Sequence, residues 1–197
     1  MVVEAGADAV GFVIDVPQSP RNLSMNQAKE LMKATPIFVE TVAVTVPEDF
    51  SHLEKMYEDL NPDIMQIHGL SSLYRKIREK MSDAQLIGAI QAKPELSIKT
   101  AVETADALNA VLLDSYVPDK YGGTGRTHDW KFSKLIRDAI CPKPLILAGG
   151  LKPENVKEAI SMVKPYAVDV SSGVESYPGI KDQGKVLKFV KNVREAE

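Results

Sequence analysis

The chain has 197 residues, of which 44% are apolar and 26% charged, as in an ordinary globular domain with one substantial core. A net charge of −3 offers no basic footprint for nucleic acid. No apolar run reaches the ~20 residues of a membrane helix, and the N-terminus lacks a basic-then-apolar signal pattern.

The chain opens MVVEAGADAVGF, in which Met1 to Ala5 reads as the last turn of a helix capped by Gly6. Seven Val- and Ile-rich runs of strand length follow, around 8–14, 38–46, 63–69, 84–92, 110–115, 144–150 and 166–173. Helical stripes lie between and after them: Phe50, Leu53, Tyr57 and Leu60; then Leu73, Ile77 and Met81. Val156, Ala159, Ile160 and Val163 make another, with Pro153 suited to its first turn, and Val186, Phe189, Val190 and Val193 make the last.

Strands apolar throughout, alternating with amphipathic helices, imply a parallel sheet covered on both faces. No linker or composition shift divides the chain, so 1–197 is read as a single domain. An open doubly wound sheet and a closed (β/α)8 TIM barrel both fit such a repeat. The barrel is preferred because small and polar residues follow several strands, at His68-Gly69, Asp114-Ser115, Gly149-Gly150 and Ser171-Ser172-Gly173. An open sheet would gather them at one switch point, whereas a barrel spreads them around its C-terminal rim. Seven strands fall one short of eight, and a helix tail precedes the first of them. The expectation is a barrel of the phosphate-binding type whose first βα unit is missing from this sequence.

The last two strand ends, LAGGL (147–151) and DVSSGVE (169–175), are where such barrels hold a phosphate on backbone N–H groups. Neither turn contains Lys or Arg, so fixed N–H dipoles and Ser hydroxyls would do the binding. Each motif alone is ordinary turn chemistry; together, at those positions, they point to a cradle of Gly149, Gly150, Ser171, Ser172 and Gly173. Asp114 ends a buried run and is either a hydrogen-bonded structural residue or a carboxyl placed to exchange a proton. The glycine-rich stretch after it, 116–130, suits a loop folding over a substrate. Arg21 could grip a carboxylate in two-pronged fashion or be a solvated loop residue. His68 could touch ligand or fill the rim. Cys141, alone of its kind, excludes an internal disulfide; it lies before a strand, at the other face, and reads as a packing residue. The scattered His52, His68 and His128 show no metal-ligand spacing, so no metal is expected.

Taken together, GADAVGFV, SPRNLS, QIHG, LLDS, GGTGRTHDW, LAGGLKPENV and AVDVSSGVESYPGIKD resemble the phosphoribosylanthranilate isomerase family, from Glu4 to Arg194. A cytoplasmic location is the default expectation, and the resemblance implies a (β/α)8 enzyme of tryptophan biosynthesis that needs no cofactor. Its reaction is the Amadori rearrangement of N-(5′-phosphoribosyl)anthranilate to 1-(2-carboxyphenylamino)-1-deoxyribulose 5-phosphate. It further implies Asp114 as general acid, Arg21 as the group binding the anthranilate carboxylate, and His68 lining the substrate. It makes the two turns the phosphate site, Gly149 and Gly150 on one side and Asp169, Ser171, Ser172 and Gly173 on the other. A phosphoribosyl small molecule is the expected partner, with no nucleic acid and no membrane, in a monomer or homodimer.

Three departures stand out. The family's general base is a cysteine in a K-x-C-G motif some twenty residues before GADAVGF, and neither motif nor strand is present here; the expectation is an isomerase sequence whose start lies upstream. Asp15 stands where the family often has an aromatic, and VAVTVPE replaces a more typical VGVFVNE. A non-catalytic phosphosugar-binding barrel is the alternative, since the base is absent. Indole-glycerol-phosphate synthase and the α subunit of tryptophan synthase fit less well, because GGTGRTHDW beside LLDS argues against them.

Overall fold

A computed structural model of the chain describes residues 1–92, 97–114 and 129–196. The strands are β1 (Ala9–Val13), β2 (Glu40–Thr45), β3 (Ile64–His68), β4 (Gln85–Gln91), β5 (Ala110–Asp114), β6 (Leu145–Leu147) and β7 (Ala167–Val168), with a hairpin of β8 (Glu175–Tyr177) and β9 (Ile180–Lys181). The helices are α1 (Met25–Lys33), α2 (Phe50–Leu60), α3 (Tyr74–Lys80), α4 (Ser97–Ala107), α5 (Trp130–Ile140), α6 (Val156–Val163) and α7 (Gln183–Arg194). β1 to β7 form one sheet in sequence order, every neighbouring pair parallel.

Register divides each strand between two environments. Ile64, Gln66, Ile87, Ala89, Ala110, Leu112 and Ile146 share the face turned away from the helices, where Ile87, Ala89, Ala110, Leu112 and Ala148 pack on one another. Curling the sheet crowds this face, which explains the alanines. The opposite face packs under the helices in two clusters, one around Phe12, Ile14, Leu53, Met65 and Leu86, the other around Val111, Ile136, Leu147, Val156 and Phe189.

Helix boundaries follow local chemistry. Ser24 and Gln27 cap α1 reciprocally, each satisfying the other's backbone N–H. Asp49, Asp129 and Asp182 accept first-turn N–H groups of α2, α5 and α7. The opening turn ends as expected: the Gly6 N–H donates to Val3 O and the Ala7 N–H to Val2 O, with Gly6 at φ 95°. One placement differs. α6 begins at Val156 behind the Asn155 cap, so Pro153 sits in the preceding turn and not in the helix.

Among the described residues β1 pairs with no strand but β2 and β7 with none but β6, leaving two edges without a partner strand where a closed barrel has none; Leu23 touches the end of the β1 edge, its N–H donating to Val13 O at 2.9 Å. The sheet is a curled half-barrel. Its two ends are nevertheless drawn together: on one rim Arg194 Nη2 reaches Asp8 Oδ1 at 2.6 Å and Gly6 O at 3.3 Å. On the other rim, Arg21 binds Glu175. No helix among the described residues is long and apolar enough to cross a membrane.

Candidate active site at the C-terminal rim

Asp114 closes β5, a strand buried along its whole length, and stands in register with Gln91 of β4. The Ala92 N–H donates to Asp114 O at 2.9 Å, which fixes the strand end. Two strands away, His68 ends β3 on the same face, half-buried, with Nε2 3.0 Å from Gln66 Nε2. An amide nitrogen only donates, so the ring nitrogen facing it accepts and the ring is neutral. Burial lowers the His68 pKa to about 4, which agrees. Gln66 and Gln91 escaped sequence reading; the period-2 alternation placing them on the face of His68 and Asp114 was the available signal.

The turns after β6 and β7 pack directly against each other. A Cβ on Gly173 would stand 1.8 Å from Leu151 O and 3.1 Å from Lys152 Cα, so only glycine fits. Gly149 and Gly150 have φ of 81° and 66°, the left-handed region that favours glycine. Asn155 stitches the first turn, donating to Gly150 O at 3.0 Å and accepting from the Lys152 N–H at 2.8 Å. Among the described residues the N–H groups of Gly149, Gly150, Ser172 and Gly173 meet no protein acceptor, and the Ser171 and Ser172 hydroxyls have no partner. These donors lie on two interlocked turns. The expected lack of positive charge needs amending, because Lys181 arrives from β9 and donates to Ser171 O at 2.9 Å.

Asp169 follows β7 and is exposed on the open side of the half-barrel. Desolvation by the surrounding protein raises its carboxyl pKa, against the opposing pull of the Lys181 ammonium and the Val170 N–H.

Arg21 is no solvated loop residue. Its Nε and Nη2 donate to Glu175 Oε1 and Oε2 at 2.7 and 2.6 Å, a two-pronged pair with an almost fully buried carboxylate. Lys181 adds a third contact at 3.1 Å. Burial would raise the Glu175 pKa, but the hydrogen bonds from Arg21 and Lys181 outweigh it and hold the carboxyl below its ordinary range.

Asp15 adopts φ 56° and pairs with His52 at 2.9 Å, occupying that ring outside the rim set. Cys141 lies before β6 on the opposite rim, as expected, but is exposed and not packed. The stretch 115–128, including Ser115, most of GGTGRTHDW and His128, lies outside the described residues. Among the described residues no three His, Cys, Asp or Glu side chains gather as a metal site would require.

The family model of N-(5′-phosphoribosyl)anthranilate isomerase matches residues 1–192. The chain belongs to the phosphoribosylanthranilate isomerase family. The N-(5′-phosphoribosyl)anthranilate isomerase of Methanothrix thermoacetophila is 41% identical over 201 residues, covering 99% of this chain and 91% of that protein. Monomers derived from the dimeric isomerase of Thermotoga maritima superpose with a TM-score of 0.82 at 35% identity, covering 98% of this chain and 91% of theirs. A phosphoribosylanthranilate isomerase solved with reduced 1-(o-carboxyphenylamino)-1-deoxyribulose 5-phosphate superposes at 0.81 with 36% identity and the same coverage.

Proposed function

We propose that this chain carries out the family's reaction, the Amadori rearrangement of N-(5′-phosphoribosyl)anthranilate in tryptophan biosynthesis. The observation that carries the reading is the pair of interlocked turns, 149–151 and 171–173, offering unpartnered N–H and hydroxyl donors on the rim where Asp114 ends a buried strand. The 5′-phosphate is assigned to Gly149, Gly150, Ser171, Ser172 and Gly173, with Asp169 beside them and the Lys181 ammonium adding attraction. Asp114 acts as the general acid that protonates the ribose ring oxygen, so that the C1′–O bond breaks and the nitrogen lone pair forms the iminium. Removal of the C2′ proton then gives the enolamine, which tautomerises to the ketone. Arg21 receives the anthranilate carboxylate and His68 lines the substrate. The comparisons favour no non-catalytic alternative.

The proton acceptor at C2′ is assigned outside these residues. We place a further strand–helix unit between the free edges of β1 and β7, completing an eight-stranded barrel and carrying that base; exposed Cys141 on the far rim is not a substitute. Fluorescence decay of the substrate tests both parts, on residues 1–197 and on a chain extended through the upstream reading frame. Turnover by the extended chain alone, lowered about 10²–10⁴-fold by Asp114→Asn, is expected. Equal turnover by 1–197 would put the acceptor within it, and an unaffected Asp114→Asn variant would remove Asp114 from the chemistry.

The chain is also proposed to form a homodimer through the rim opposite the site. Ile37 and Phe38 are 81% and 96% exposed there and share the wall of a cavity of about 470 Å³ with Met32, Leu60 and Asp63. An exposed apolar patch of this kind can be buried against its own copy across a twofold axis, and the Thermotoga relative is described as dimeric. Light scattering should show a dimer that Phe38→Glu splits; a wild-type monomer throughout would end this reading.

A further inference from the structure

The Arg21–Glu175 pair uses only half of the guanidinium. Glu175 takes the Nε–Nη2 edge, while Nη1 has no partner among the described residues, so the Nη1–Nη2 edge remains open for a second carboxylate. Glu175 is itself held from three directions: by Arg21, by Lys181 Nζ at 3.1 Å, and by Lys185 Nζ on its carbonyl at 2.7 Å. A buried carboxylate this firmly fixed makes a rigid base for a long side chain that would otherwise sample many rotamers.

We propose that Glu175 is a positioning residue for the substrate carboxylate: it clamps one edge of Arg21 and thereby presents the other to the anthranilate ring's ortho-carboxylate. The inference rests on Arg21 binding that carboxylate. Glu175 also lowers the net positive charge of the site, so the ligand is gripped by geometry more than by unscreened attraction. A two-pronged engagement then still occurs, but on the terminal edge of the fork.

The test is a ratio of dissociation constants, measured by titration calorimetry on the full chain. One probe is reduced 1-(o-carboxyphenylamino)-1-deoxyribulose 5-phosphate; the other is its phenylamino counterpart without the carboxylate. Wild type should prefer the first, and Arg21→Ala should abolish the preference; if it does not, Arg21 does not bind the carboxylate and the functional assignment fails on its own. Given that loss, Glu175→Gln should shrink the preference about tenfold, the scale of one charge-assisted hydrogen bond, while affinity for the carboxylate-free probe changes little. An unchanged ratio, including equal weakening of both probes, overturns the proposal. Glu175→Asp, which keeps the charge with a shorter reach, is read in the same way and decides the matter if the Gln variant does not fold.

Discussion

Gly173 lies so close to Leu151 that a single added carbon would stand 1.8 Å from the Leu151 carbonyl oxygen. The contact joins the turn after β6 to the turn after β7, backbone against backbone, with no flexible side chain to yield. The two halves of the proposed phosphate cradle are therefore one unit. Gly173→Ala should push them apart, costing about 1–3 kcal/mol as an overpacked contact does. Loss should appear both in thermal unfolding and in affinity for a phosphorylated product analogue. Full affinity in a destabilised variant would show that the turns need not touch to hold the ligand.

Arg78 performs the corresponding work on the far rim. Nη1 donates to Met81 O, Ser82 O and Ala84 O at 3.2, 3.0 and 2.9 Å, Nε donates to Ala107 O at 3.3 Å, and Nη2 donates to Asn109 Oδ1. Asn109 Oδ1 also accepts from the Leu86 N–H at 2.9 Å, so the cluster fixes the start of β4. Arg78→Met strands several partly buried carbonyls and should lower stability by on the order of 3 kcal/mol. Urea denaturation measures this. Affinity for product analogue should hold, since Arg78 is at the opposite end of the strands from Asp114.

The strands were readable because they are apolar on both faces: β4 and β5 appear in the sequence as AQLIGAIQA and AVLLDS, and they lie side by side in the sheet as they do in the chain. Helices with a clear apolar stripe, α2, α6 and α7, were equally plain. α4 was not, since its core contacts are Ala101 and Ala105, small residues that barely mark a periodic face. α5 starts inside a motif that reads as loop. The candidate site was half legible. Glycine and serine after a strand advertise a close backbone, so the proposed cradle stood out, although the close approach that the structure gives Gly173 is to Leu151. Glu175 was invisible because its importance lies in Arg21, 154 positions earlier, and no local pattern encodes a pairing made by curling the sheet.

Thr45 ends β2 fully buried, and its hydroxyl has no hydrogen-bond partner among the described residues. It sits on the helix-facing side with Ala43, where a polar atom gains nothing. An unsatisfied buried hydroxyl costs about 1–3 kcal/mol, and valine has nearly the same shape. Thr45→Val should therefore raise the urea midpoint, one of the rare core changes expected to stabilise. A lower midpoint would mean that the hydroxyl finds a partner in solution.

His68 makes the acid limb of the stability curve predictable. Its pKa falls from 6.5 to about 4 because burial disfavours the charged ring. Protonation would also set an N–H against the Gln66 amide donor 3.0 Å away. Between these two values the unfolded chain binds a proton at this position that the folded chain refuses, so stability must fall as pH falls. No penalty exists well above pH 6.5; it accumulates below that value and is complete under about pH 4, where it reaches up to about 3 kcal/mol. The lowered carboxyls of Asp63 and Glu175 add their own acid lability, but below the ordinary carboxyl values of 3.8 and 4.5. The raised carboxyl of Asp169 gains stability as pH falls, with the opposite sign and equally in wild type and variant, so the histidine is read as the difference between wild type and His68→Asn from pH 6.5 down to 4.5. Across that window urea midpoints should fall relative to those of His68→Asn, which keeps a polar side chain facing Gln66 and cannot titrate. Parallel curves would mean that solvent reaches the ring and that it titrates like a free histidine.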